Sequence, residues 1–186
     1  AISGAAAGAL GRIGDAAAAK VLTGAIAGVS ADKKQAFGDA CIRCIEELTA
    51  SGDRETAASL AQATRNADLP THIRLAATRG AILAKGDEGV ALLIETLKAT
   101  DWQTFALGLK VARELKGEHV AKSLVGALPS LPVDRQPAFL VALADRGDKA
   151  AVPAITASAK EGAPPIRLAA IEALGRIGDA SAVPVL

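Results

Sequence analysis

Cys41 and Cys44 stand in the run Cys-Ile-Arg-Cys, the spacing of a dithiol redox pair or of half a zinc site. A redox pair needs its attacking thiolate stabilised, usually at a helix N-terminus. These cysteines instead fall mid-helix, between Phe37 and Leu48 of an apolar period. Zinc takes two further ligands, and the chain has no second cysteine pair. No histidine follows Cys44, so the haem-attachment motif is absent too. The pair therefore reads as small, semi-apolar core material on or beside a buried stripe. His72 and His119 are the only histidines, and capping or solvent-exposed roles are expected for both. Trp102 is the single tryptophan and directly follows Asp101 at an expected helix start. It is expected to cover a join between neighbouring helix pairs, with a blue-shifted emission. Phosphate-binding glycine loops, nucleophile elbows and clustered metal ligands are all missing.

What would position these residues is an internal repeat. Residues 2–22 (ISGAAAGALGRIGDAAAAKVL) and 166–186 (IRLAAIEALGRIGDASAVPVL) align without gaps and are identical at 14 of 21 positions. Gly-Asp or Gly-Glu recurs at 14–15, 52–53, 86–87, 117–118, 147–148 and 178–179. Glycine suits the left-handed residue that ends a helix. An Asp after it can cap the next helix by accepting free backbone N–H groups. Each pair is thus a stop-and-start signal between antiparallel helices, with Asp15, Asp53, Asp87, Asp148 and Asp179 as caps. Gly38-Asp39 breaks the spacing and is expected inside a helix.

The stretches before the turns carry a helical period. Ile166, Ala169, Ala170, Ala173, Leu174 and Ile177 form one apolar stripe, and Ile73, Ala76, Ala77, Gly80, Ala81 and Ala84 form another. Helix pairs are expected at about 2–13/16–28, 32–51/54–66, 70–85/88–99, 102–116/119–129, 133–146/149–160 and 165–177/180–186. The corresponding repeats are about 1–29, 30–68, 69–100, 101–131, 132–163 and 164–186. Pro153 and Pro184 fall near the first turns of second helices, where a missing N–H costs least. Pro137 either kinks its helix or marks the true start. Arg74 and Arg167 share a repeat position. They would form a basic ladder for phosphate or carboxylate, or pair with turn carboxylates such as Asp53 and Asp148 of the preceding repeat; the pairing is expected.

Composition agrees with an all-α chain. Alanine, the best helix former, supplies 44 of 186 residues, whereas aromatics make up only 2%. Side chains this small reach native packing density only if helix backbones come close. The net charge of +1 implies no strong field, so neither nucleic acid nor a membrane is expected as a partner. No apolar run is long enough to span a bilayer, and no secretory signal is present. The cytoplasm is the default compartment, with periplasm or secretion left open.

The stretch at 166–186, with its Ala-Leu-Gly-Arg-Ile-Gly-Asp-Ala block, resembles the HEAT-like repeat of the phycobilisome-lyase type. The resemblance implies a right-handed α-α superhelix, a solenoid of about six helical hairpins. It further implies that second helices line an inner face, here displaying Arg54, Glu55, Gln62, Glu88, Glu95, Lys98, Lys122 and Lys160. On this reading the chain is a protein-interaction scaffold or adaptor with a protein partner, no cofactor and no catalysis. The alternatives are a bilin-lyase-like enzyme or its accessory subunit and, behind it, a nucleic-acid-binding HEAT-like protein. Deoxyhypusine hydroxylases, another HEAT-like class, bind two irons through His-Glu pairs. This chain has only the reversed Glu118-His119. The first repeat opens at Ala1-Ile2 with no capping residue, and the sixth stops at Pro184-Val185-Leu186 inside its second helix. Both ends point to a segment of a longer array whose exposed end helices favour end-to-end self-association.

Overall fold

The computed structural model describes residues 3–177 and Val183. The expected cap Asp179, Pro184, and the second helix of the sixth pair lie outside the described residues, as do Ala1 and Ile2. Among the described residues the chain is all helix and turn, with no strand. It divides into two compact units, Ala1–Gly89 and Val90–Leu186.

The N-terminal unit holds α1 (Gly4–Ile13), α2 (Ala16–Ala25), α3 (Lys34–Ser51), α4 (Arg54–Asn66) and α5 (Thr71–Lys85). The first helices of successive pairs pack as a row, α1 on α3 and α3 on α5, while α2 packs on α4. The C-terminal unit holds α6 (Val90–Leu97), α7 (Trp102–Glu114), α8 (Glu118–Ala127), α9 (Gln136–Arg146), α10 (Val152–Glu161) and α11 (Pro164–Ile177). There α7, α9 and α11 form the row of first helices. Phe37, Leu22, Leu48, Leu60 and Ile82 fill the first unit; Phe105, Phe139, Leu124, Leu143 and Ile155 fill the second.

Among the described residues each expected helix has an observed counterpart, and Gly38 and Asp39 lie within α3. Pro137 sits in the first turn of α9 and so marks its start rather than a kink. The turn signal is equally direct. Gly14, Gly52, Gly86, Gly117 and Gly147 have φ of 60°, 90°, 58°, 127° and 71°, and no other described residue has a positive φ. The carboxylates divide. Asp15 accepts from the Ala18 N–H at 2.7 Å, and Asp53 accepts from the Thr56 N–H at 3.2 Å. Asp87 lies instead within a 3-10 turn, Gly86–Gly89, and Asp148 makes no cap bond. A third departure is at the start: Ser3 caps α1, accepting from the Ala6 N–H at 3.2 Å.

Asp148 is diverted by Arg146, whose Nε donates to it at 2.7 Å. The Arg146 side chain is almost wholly buried. Its Nη1 donates to the carbonyl oxygens of Ala112 and Leu115, at the C-terminal end of α7. That end closes in an extended Leu115 rather than a left-handed glycine, so its last carbonyls need an outside donor. A guanidinium from the next first helix supplies it. Alongside, Asp145 bridges two first helices. It accepts from Arg113 Nε of α7 at 2.8 Å and from Arg176 Nη1 of α11 at 2.9 Å. These two guanidiniums, Arg113 foremost, hold the Asp145 carboxyl below the usual carboxylate range. The pairing expected for Arg74 and Arg167 is thus made by other residues. Arg74 donates to the hydroxyl of Thr71 in its own helix at 3.4 Å and acts electrostatically on Asp68.

Close packing requires small residues at particular points. A Cβ on Gly11 would lie 2.6 Å from the Ala40 carbonyl oxygen of α3, so α1 meets α3 backbone to backbone. Helix propensity alone favours Gly→Ala by about 1 kcal/mol. Gly11→Ala is nevertheless expected to lower the melting temperature, because a backbone oxygen cannot step aside. Gly126→Ala, facing open space in α8, should raise it slightly. Thermal unfolding of the two variants reads the difference in sign. In the second unit, Arg146→Met would strand two buried carbonyls, at about 1–3 kcal/mol for each unsatisfied group. Chemical denaturation should register that loss, and an unchanged midpoint would exclude the capping role.

Candidate protein-binding face

The eight residues expected on an inner face are all solvent-exposed, four in each unit. Four belong to the N-terminal unit. Arg54, Glu55 and Gln62 project from α4, and Glu88 from the turn after α5. They line a single open groove of about 750 Å³, with Ala58, Ala63 and Ala84 among its apolar lining. A second groove, of about 590 Å³, runs between α2 and α4, lined by Lys20 and Thr23 on one side and Thr56 on the other. Glu55 and Ser59 line both grooves. The result is a face of second helices with a small-residue floor and alternating charged rims.

The other four belong to the C-terminal unit. Glu95 lies on α6, with Lys98 just past its end, Lys122 on α8 and Lys160 on α10. Lys122 is engaged with Glu118 of its own helix at 2.7 Å.

The thiols are not part of any exposed site. Cys41 and Cys44 are fully buried in α3. Burial pushes the Cys41 thiol up to about 12. Burial, then the nearby Asp15 and Glu47 carboxylates, pushes Cys44 up to about 11. Both are therefore protonated at neutral pH and poor nucleophiles, as core thiols are. His72 and His119 are exposed. His72 lines an open groove on the first-helix side with Asp39, Arg43 and Glu46. Among the described residues no group of three or more His, Cys, Asp or Glu side chains could hold a metal ion. The described helices include none long and apolar enough to cross a membrane.

Trp102 departs from expectation. It is 61% exposed at the start of α7, not buried at a join. Its ring tilts against Phe105 with centroids 5.4 Å apart. The Arg135 guanidinium lies 5.1 Å from the Trp102 centroid and 4.7 Å from that of Phe105. Arg135 is held there by donating to the Thr100 carbonyl at 2.9 Å. An exposed tryptophan stacked with arginine is the residue chemistry of binding hot spots. The sequence signal for it was weak: Asp101 caps α7 by accepting from the Thr104 N–H at 2.8 Å, which places Trp102 in the first turn, but nothing local says which way the ring faces.

The family model described as HEAT repeats matches residues 134–186, a span that includes α9, α10 and α11. In that span the chain is similar to HEAT repeats. No curated protein matches the sequence. Among solved structures, human deoxyhypusine hydroxylase in complex with glycerol is similar over 98% of this chain and 70% of that one, at 18% identity and a TM-score of 0.45.

The exposed ring sets an expectation opposite to that of a buried indole. Trp102 emission should peak near the water-exposed limit and be quenched efficiently by acrylamide. A blue-shifted, quencher-resistant band would place the ring under cover.

Proposed function

We propose that this chain is a protein-binding repeat module without catalysis of its own, whose ligand lies along the α2–α4 face of the N-terminal unit. The observation that carries the reading is the pair of adjoining grooves sharing Glu55 and Ser59. Two clefts that meet on one helix offer a continuous track for a peptide segment. Arg54 and Lys85 balance Glu55 and Glu88 along the larger cleft. Such a track suits a ligand with alternating charges better than a polyanion, which needs a one-sign surface. The alanine floor would let a helix or extended strand approach closely, and the charged rim would set its register. Glu95, Lys98, Lys122 and Lys160 extend the reading to the second helices of the C-terminal unit. The finer repeat subtype, that of phycobilisome lyases, rests on the Ala-Leu-Gly-Arg-Ile-Gly-Asp-Ala block alone.

The reading is tested by capture from a native lysate with three immobilised proteins: the wild type, Glu55→Lys combined with Gln62→Ala, and a first-helix control, Glu46→Lys. Retention of specific proteins by the wild type and the control, with at least a tenfold drop for the double variant, is the expected pattern. Equal retention by all three, or loss only with Glu46→Lys, would remove the α2–α4 face from the function.

A further inference from the structure

Polar side chains run the length of the larger groove. Glu55, Ser59, Gln62 and Asn66 all line it. They follow one another along α4 at steps of four, three and four, the spacing of a single helix face. All four are exposed. The side chains of Ser59 and Asn66 have no hydrogen-bond partner among the described residues. Gln62 commits its Oε1, which accepts from Arg65 Nη1 at 3.3 Å, and keeps the two N–H donors of its amide.

The chemistry of this stripe discriminates between ligand conformations. A helix in a groove is held by apolar anchors at i, i+3, i+4 and i+7, and its own N–H and C=O groups are already paired along its length. Here Ala58, Ala63 and Ala84 beneath the stripe offer single methyl groups to such anchors. An extended segment has the opposite need, because its N–H and C=O groups must find partners outside itself. A carboxamide carries both a donor and an acceptor, and so does a hydroxyl, which is the set that a peptide unit complements.

Length and charge narrow the ligand further. The eleven steps from Glu55 to Asn66 span about 16 Å at a helical rise of about 1.5 Å per residue. An extended strand covers that distance in about five residues. The charged lining, Arg54, Glu55, Lys85 and Glu88, lies at the start of α4 and the turn after α5. Arg54 Nη1 stands 3.8 Å from where a Cβ on Gly86 would be, so the guanidinium lies beside that corner. The stretch from Ser59 to Asn66 is lined by uncharged side chains.

We infer, building on the α2–α4 reading, that the larger groove takes an extended peptide segment of about five residues held by its main chain. Ser59, Gln62 and Asn66 pair its N–H and C=O groups. Small uncharged side chains of the segment lie over the alanine floor, and charged residues of either sign are accepted at the Arg54 end.

The test is a displayed library of random seven-residue peptides, selected on the immobilised full chain and counter-screened on Gln62→Ala with Asn66→Ala. Both altered side chains are exposed, and circular dichroism checks that the double variant folds. Enriched peptides should bind the wild type at least tenfold more tightly than the double variant. Synthetic copies are then methylated on one backbone nitrogen at a time. Successive N–H groups of a strand point to opposite sides, so methylation should cost about tenfold at alternate central positions and less than twofold between them. Peptides that bind the groove with no such alternation, or that bind more tightly when α-aminoisobutyric acid stiffens them into a helix, overturn the extended ligand and leave the α2–α4 face in place. No enrichment over the double variant overturns it as well. Equal lysate retention by wild type and Glu55→Lys with Gln62→Ala removes the α2–α4 reading itself.

Discussion

Helices in this protein come together nearly backbone to backbone, because their side chains are too small to hold them apart. At the α1–α3 crossing, Gly11 leaves room for the Ala40 carbonyl and for nothing else. Close approach raises the packing density that three phenylalanines and one tryptophan could not supply by volume. It also makes the arrangement unforgiving. A single methyl group at the wrong point meets backbone, which cannot rotate away as a side chain can. The rows of first helices and the grooves along the second helices follow from this spacing.

Packing of this kind puts weight on the connections. Gly14, Gly52, Gly86, Gly117 and Gly147, the glycines of the described Gly-Asp and Gly-Glu corners, take the positive φ that L side chains avoid. Where the corner lacks a glycine cap, as after α7, the cost of unpaired carbonyls is met from the neighbouring helix by Arg146. Asp145 works in the same direction, holding Arg113 and Arg176 of the helices on either side. In the C-terminal unit, polar side chains thus join successive first helices where alanine offers little area. The N-terminal unit has a similar tie from Lys34 to Asp68, at 2.6 Å.

The surfaces that result are long and shallow. The thiols are buried in α3, and His72 and His119 are solvated. The exterior carries a charged, alanine-floored track on α2 and α4 and a tryptophan backed by arginine at the start of α7.

The repeat, its corners and the helical class were legible in the sequence, because each depends on neighbours within a few residues. Glycine before aspartate ends one helix and begins another whatever surrounds it, and Pro137 and Pro153 act through their own missing N–H. The cysteines were legible too, from their place in an apolar period. Which charges pair was not. Arg74 and Arg167 were the arginines that repeat position singled out, yet the ion pairs across stacked first helices are made by Arg113 and Arg176, both on Asp145. The caps divided in the same way: Asp15 and Asp53 bond locally as their spacing implies, while Asp148 is claimed by an arginine that long-range packing has buried beside it. Trp102 was misjudged because exposure depends on what the next helix leaves uncovered. Local chemistry sets where helices stop; only the distance between helices decides which side chains meet, and that distance is a property of the assembled rows.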